Sequence, residues 1–130
     1  MHRISADHAR NRLHIIVSGT ISVAEVEKIV PQIVKATNRL KPGFGVITDL
    51  TRFVDGDTRA AAILQRIMEY LHQRGVGRVV RVVGGSRKAI MVFGRHGMSV
   101  EGYPVKYVPT LQEAEKFLEE VSEDGVAAAN

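Results

Sequence analysis

The chain has 130 residues, 45% of them hydrophobic and 25% charged, which is the composition of one globular domain and excludes a disordered chain. It contains no cysteine, so disulfides, thiolate zinc sites and cysteine nucleophiles are excluded together, and a reducing cytoplasm fits. The net charge is a modest +4, no apolar run approaches the ~20 residues that cross a bilayer, and residues 1–7 lack a signal-peptide core, so the chain reads as cytoplasmic and not transmembrane.

In chain order, residues 3–8 and 12–19 form two short β-rich runs. The second carries Leu13, Ile15, Ile16 and Val17, and Asn11 marks the turn of a hairpin between them. Ser22 and Glu25 have the spacing of a capping box, in which each satisfies the other's backbone donor. The helix that follows shows Val23, Val26, Val30, Ile33 and Val34 at helical spacing, and Pro31 inside it predicts a kink. Residues 46–50 read as a strand. A second helix over 58–73 places Ala60, Ile63, Leu64, Ile67, Met68 and Leu71 on one face and stops at Gly75 and Gly77. Residues 79–83 form the next strand, followed by Gly84, Gly85 and Ser86 and by a short helix over 87–93 that ends near Gly94 and Gly97. Residues 105–108 are the last strand. Thr110 and Glu113 form a second capping box, which opens a helix to about Val121.

The order β-β-α-β-α-β-α-β-α predicts an α/β fold with a mixed, mostly parallel sheet of about five strands and about four helices. Residues 1–122 are expected to form the domain, and 123–130 a short, frayed tail.

The sequence shows no catalytic apparatus. The five histidines form no HExxH or other metal spacing, and no nucleophile elbow, Walker A loop or GxGxxG follows a strand. The expectation is therefore a protein that is not an enzyme and holds no metal and no cofactor. Two loops at strand ends carry the candidate chemistry, because ligands of open parallel sheets gather at that edge. The first holds Asp55, Gly56, Asp57, Thr58 and Arg59. Asp57 is placed to cap the helix, and the two carboxylates are also placed to meet a partner. The second holds Gly84, Gly85, Ser86, Arg87 and Lys88. Glycines, helix amides and two cations there suit an anion, and the same residues also make a plain turn with Ser86 as N-cap.

Charge is segregated along the chain. No acidic residue lies between Tyr70 and Val100, whereas Glu113, Glu115, Glu119 and Glu120 crowd the last helix. Aromatics are only 5% of the chain and none interleaves with the basic residues, so a stacking platform for single-stranded nucleic acid is not expected. Arg81 lies between Val80 and Val82 in a strand. Burying it would be costly, so this part of the sheet is expected to be open to solvent. The partly apolar stretch Ile90, Met91, Val92 and Phe93 suits a homodimer contact.

Three stretches resemble a known family. Residues 46–53, with Asp49, Leu50 and Phe53, look like a strand with a D-L-x-x-F continuation. Residues 79–87, through Gly84, Ser86 and Arg87, and residues 107–114, with Leu111, Glu113 and Ala114, are similar to its other two segments. The chain thereby resembles the STAS domain superfamily, in its SpoIIAA-like branch of anti-sigma factor antagonists. The resemblance implies a regulatory, protein-binding module whose partner is a regulatory kinase or another protein of a sigma-factor pathway. The contact would be made by the 55–59 loop and by the next helix through Arg66, Glu69 and Gln73. Members of that branch carry D-S-S-G before the second helix, with the second serine phosphorylated. Counting from Asp49 puts Asp57 at the aspartate, Thr58 at the first serine, Arg59 at the phosphorylated serine and Ala60 at the glycine. Arginine cannot accept phosphate, and Thr58 is the hydroxyl that remains as a phosphorylation candidate. The alternative function is binding of an anion, a nucleotide or an acidic lipid at the loop of Gly84 to Lys88.

Overall fold

The structure, a computed structural model, describes residues 1–96 and 105–129 of the chain, and within them not the side chains of Thr58, Ala61, 92–96 and 121–129. The predicted hairpin is present. Strands β1 (His2–Asp7) and β2 (Arg12–Val17) pair antiparallel, and Asn11 turns between them at φ 55°. Asparagine is among the few side chains that adopt this left-handed conformation readily. Its side chain also clasps the loop before the next strand, with Nδ2 donating to the Lys41 carbonyl and Oδ1 accepting from the Lys41 amide.

Helix α1 (Val23–Thr37) starts where Ser22 Oγ accepts the Glu25 amide at 3.2 Å, and runs unbroken through Pro31. The capping box is only half formed. The Glu25 carboxylate turns instead to the Met1 amine at 2.8 Å and to His2 Nδ1 at 2.9 Å. Two cationic or donor groups at the sheet edge outcompete one backbone amide. The hydrogen bonds from the chain's amino terminus and from His2 hold the Glu25 carboxyl below the usual carboxylate range.

The main sheet has five strands in the order β1-β2-β4-β6-β7, with β4 (Gly45–Asp49), β6 (Val79–Val82) and β7 (Val105–Val108) parallel to β2. Two short strands that the sequence does not predict as separate elements, β3 (Gly19–Ile21) and β5 (Phe53–Gly56), form a separate parallel pair. Neither run shows the alternation of a half-buried strand. A single turn of 3-10 helix (Thr58–Ala60) leads into α2 (Ala61–Gln73), so the predicted helix over 58–73 begins with a tighter turn. Helix α3 (Arg87–His96) is longer than expected, and α4 (Leu111–Ala129) continues past Val121. The expected helix stop at Gly97 lies outside the described residues. Among the described residues no helix is long and apolar enough to cross a membrane.

Both faces of the sheet are covered, which explains the continuous apolar run of β6. Val79 and Val83 face a large core with Val26, Ile29 and Ile33 of α1 and Ile63, Ile67 and Leu71 of α2. Val80 and Val82 face a smaller core with Ile47, Val108, and Ala114 and Leu118 of α4. Arg81 corrects the sequence reading. It is not open to solvent but 3% exposed, on the face under α1 and α2. Its Nη1 donates to the Tyr107 hydroxyl at 2.8 Å and its Nη2 to Met68 Sδ at 3.5 Å, with the Tyr107 ring alongside. Register makes this possible, because Tyr107 is the residue opposite Arg81 on β7. A second arginine, Arg12, is 6% exposed at the start of β2, and its Nη1 has no hydrogen-bond partner among the described residues.

Candidate partner-binding site

The site forms where β4 and β6 end side by side. Asp49, the last residue of β4, accepts both the amide and the hydroxyl of Thr51 on Oδ1, at 3.0 and 2.7 Å. This turn bends the chain off the sheet at once. Leu50 and Phe53 plug the core at 0% and 5% exposure, and Phe53 leads into β5. Asp55 therefore emerges at a fixed place on a short strand rather than from a loose loop. Its Oδ1 accepts the Gly56 amide at 2.8 Å.

Asp57 is tied down from both sides. Its amide donates to the Ile21 carbonyl of β3, and its carbonyl accepts the Ala60 amide. Oδ1 accepts the Arg59 amide at 2.9 Å, so Asp57 caps the 3-10 turn. The Arg59 side chain forks onto the same carboxylate, with Nη2 2.6 Å from Oδ2 and Nε 3.1 Å from each oxygen. These side-chain bonds, with the backbone bond next, pull the Asp57 carboxyl down to about 2, and they raise the Arg59 guanidinium. Arg59 is nevertheless 81% exposed. The position that aligns with the phosphorylated serine of the resembled family thus presents a cation already neutralised by its neighbour. The side chain of Thr58, the phosphorylation candidate, lies outside the described residues.

The second loop follows β6. Gly84 adopts φ 56°, a conformation that suits glycine, and Ser86 Oγ accepts the Ala89 amide at 3.1 Å, the geometry of an N-cap on α3. Ala89 is fully buried and anchors the helix, while Gly85, Arg87 and Lys88 stay exposed. Lys88 Nζ reaches Asp55 Oδ1 at 3.6 Å. The two candidate loops are therefore one surface. The sequence held the signal for this, since β4 and β6 are neighbouring parallel strands and loops leaving the same ends of such strands must meet. Their adjacency in the sheet was the missing step.

Arg66 is placed differently. It lies in the second turn of α2, exposed, beside the outer groove between α1 and α2 with Glu27, Val30 and Tyr70, and no hydrogen bond or ion pair joins it to the loop among the described residues. Glu69 accepts from Gln65, and Gln73 is exposed at the end of the helix. Ile90 and Met91 of α3 are 44% and 54% exposed beside this edge, and Val54 of β5 is 62% exposed. The side chains of Val92 and Phe93 lie outside the described residues. Among the described residues no three His, Asp or Glu side chains are grouped to hold a metal ion.

This arrangement of strands and helices matches solved structures over nearly the whole chain. The fold is SpoIIAA-like. The anti-sigma factor antagonist SpoIIAA in its unphosphorylated form superposes with a TM-score of 0.65 at 16% identity, covering 94% of this chain and 98% of that one. An RsbS variant from Moorella thermoacetica gives 0.68 at 14% identity over 93% and 97%. An uncharacterised protein with a SpoIIAA-like fold from Shewanella loihica gives 0.69 at 16% identity over 90% and 93%. No protein-family profile matches the sequence, and no curated protein matches it. At these identities the likeness establishes the STAS/SpoIIAA-like fold that the sequence resemblance implied.

Proposed function

We propose that this SpoIIAA-like domain is a non-enzymatic regulatory module of the cytoplasm that docks a protein partner on the edge formed by Asp55, Gly56, Asp57, Thr58 and Arg59. Arg87 and Lys88 extend this edge, and the exposed side of α2 at Arg66 flanks it. The observation that carries the proposal is the Lys88–Asp55 contact, which joins the two loops into one polar surface. Anti-sigma factor antagonists among the structures of like fold support the same reading. A partner of a sigma-factor pathway, such as a regulatory kinase, is the class this implies. Recognition here does not use phosphorylation of residue 59, because arginine stands there. Paired charges at an interface contribute register and association rate more than raw affinity.

The loop at Gly84 to Lys88 serves this docking edge better than a separate anion site. Lys88 is already turned toward Asp55, whose carboxylate repels an incoming anion. The test is co-purification from the native lysate with wild type, Asp57→Lys and Arg66→Glu. Loss of the same partner band in both variants, with circular dichroism unchanged, supports the proposal. An unchanged set of partners in both rejects this surface.

A further inference from the structure

Strand β1 stands at the edge of the five-stranded sheet, and among the described residues no strand pairs with its outer side. The hydrogen bonds just before it fix which groups that side presents. The Met1 amine donates to the Ser18 carbonyl at 3.0 Å, and the Ser18 amide donates to the Met1 carbonyl at 2.8 Å, so these two residues form a bonded pair. Bonded and non-bonded pairs alternate along an antiparallel ladder. The register runs without a bulge from His2↔Val17 to Asp7↔Arg12, so Arg3, Ser5 and Asp7 turn their backbone N–H and C=O to β2. The same groups of His2, Ile4 and Ala6 point away from it, along about 14 Å of edge. Natural sheets usually blunt such an edge with proline, a bulge or charge. Strand β1 has no proline and no bulge, and Ile4, Ser5 and Ala6 at its middle are uncharged.

Beside this edge a groove of about 320 Å³ lies between β1 and α1. Ile4 and Ala6 line it from the strand and Ala36 from the helix, all three half-buried against the core. The two alanines leave room for an incoming side chain. Lys35 and Arg39 stand on the helix rim and His8 follows the end of the strand, all exposed. None of the three forms an ion pair among the described residues, and the lining described there holds no Asp or Glu. Asp7, the carboxylate of the strand itself, alternates to the opposite face from Ile4 and Ala6.

A strand edge beside a helix-lined groove is the geometry in which an extended peptide joins a sheet. Main-chain bonds supply affinity, and alternate side chains enter the groove and supply specificity. Cations on the rim select carboxylates for those side chains. A second copy of this chain fits less well, because pairing β1 with β1 about a two-fold axis brings the Lys35 and Arg39 cations of both α1 helices to one seam.

We infer that the β1 edge accepts an extended, acidic segment of a partner protein as a sixth strand of the main sheet, with its carboxylates over Lys35 and Arg39. This surface stands apart from the docking edge at the ends of β4 and β6, and the inference does not depend on that reading.

The probe is a short capped peptide of alternating glutamate and valine, titrated into the full chain and followed by NMR with amide hydrogen exchange. Two controls are the same peptide with lysine for glutamate and the same peptide with its backbone amides N-methylated, which blocks strand pairing. The expected result is saturable binding that slows exchange at the Ile4 and Ala6 amides by about tenfold or more, with Arg59 and Lys88 unmoved. Neither control should saturate. Ala6→Pro removes an outward N–H without touching the ladder to β2, and it should abolish binding. If Ala6→Pro does not fold, the double variant Lys35→Glu, Arg39→Glu provides the test, since both residues are exposed on the helix. It should weaken the glutamate peptide by about tenfold or more and admit the lysine peptide. Absence of saturable binding overturns the inference. So do equal affinities for the glutamate and lysine peptides, undiminished binding of the N-methylated peptide, or shifts at Arg59 and Lys88 in place of β1. Protection of Ile4 and Ala6 that grows with protein concentration in the absence of peptide would overturn it too, by assigning the edge to a second copy.

Discussion

The floor that the sheet forms under α1 and α2 and the docking edge use the same kinds of side chain for opposite ends. On the floor, Arg81 is buried among aliphatic residues, bonded to Tyr107 and Met68, and its placement depends on the register of three parallel strands. At the edge, Arg59, Lys88, Asp55 and Asp57 pair with one another at the surface, where water screens each contact. A buried charge is costly to place and costly to disturb, so it governs the core. An exposed pair contributes little to folding and can be altered with little effect on the fold, so it is suited to recognition. The comparison separates the charge that belongs to the core from the surface charges that we propose for partner docking.

The largest effect that would break this contrast is expected at the floor. Arg81→Ala should destabilise the domain by about 2–5 kcal/mol in urea unfolding, since it enlarges an existing void under α2. Arg81→Met, which keeps the packing and removes the charge, should cost only about 1 kcal/mol or less, and equal losses in the two variants would show that charge, not volume, is what matters there. Next comes Thr48→Val, which replaces the hydroxyl of a residue only 7% exposed by a methyl group of the same shape. Thermal unfolding should show a gain of up to about 1 kcal/mol. A clear loss would mean that the hydroxyl is satisfied in solution.

At the edge the expected effects are smaller. Lys88→Ala should change stability by less than about 1 kcal/mol, because both partners of its bridge are about half exposed at 53% and 48%. Carboxyl NMR should find Asp57 titrating near 2, below the ordinary 3.8. A carboxyl with a lowered folded value contributes stability that is present above the unfolded value and is lost as pH falls through the folded one. The Arg59 contact should therefore persist at pH 4 and disappear only as pH falls through about 2. In Arg59→Ala the Asp57 titration should move up toward 3.8, with the fold unchanged.

Much of the scaffold was legible in the chain because its signals are local. The hairpin turn at Asn11, the Ser22 cap, the aliphatic stripe of α2 and the glycine punctuation after β6 each depend on a few neighbouring residues. The candidate residues at both loops were legible too, as polar groups following strand ends. Their union through Lys88 and Asp55 was not, because it joins residues 33 positions apart by way of the β4–β6 pairing. Strands β3 and β5 are not legible in the sequence for a related reason. Three and four residues long, with glycine in both and aspartate in β5, they have little strand propensity of their own and exist because each is the other's partner.

By itself the sequence determined the order of the elements, the apolar faces they must hide and the polar residues that emerge at the strand ends. Periodicity, caps and turns are settled within one or two turns of chain, where the physics is nearest-neighbour. Tertiary structure alone decided that Arg81 is buried, that Glu25 leaves its cap for the chain's start, and that Thr48, Arg81 and Asp57 come to line one space between the sheet and helices α1 and α2. Each of these depends on strand register and on what lies opposite, and a charged side chain tolerates burial only when distant residues such as Tyr107 are brought within hydrogen-bond reach.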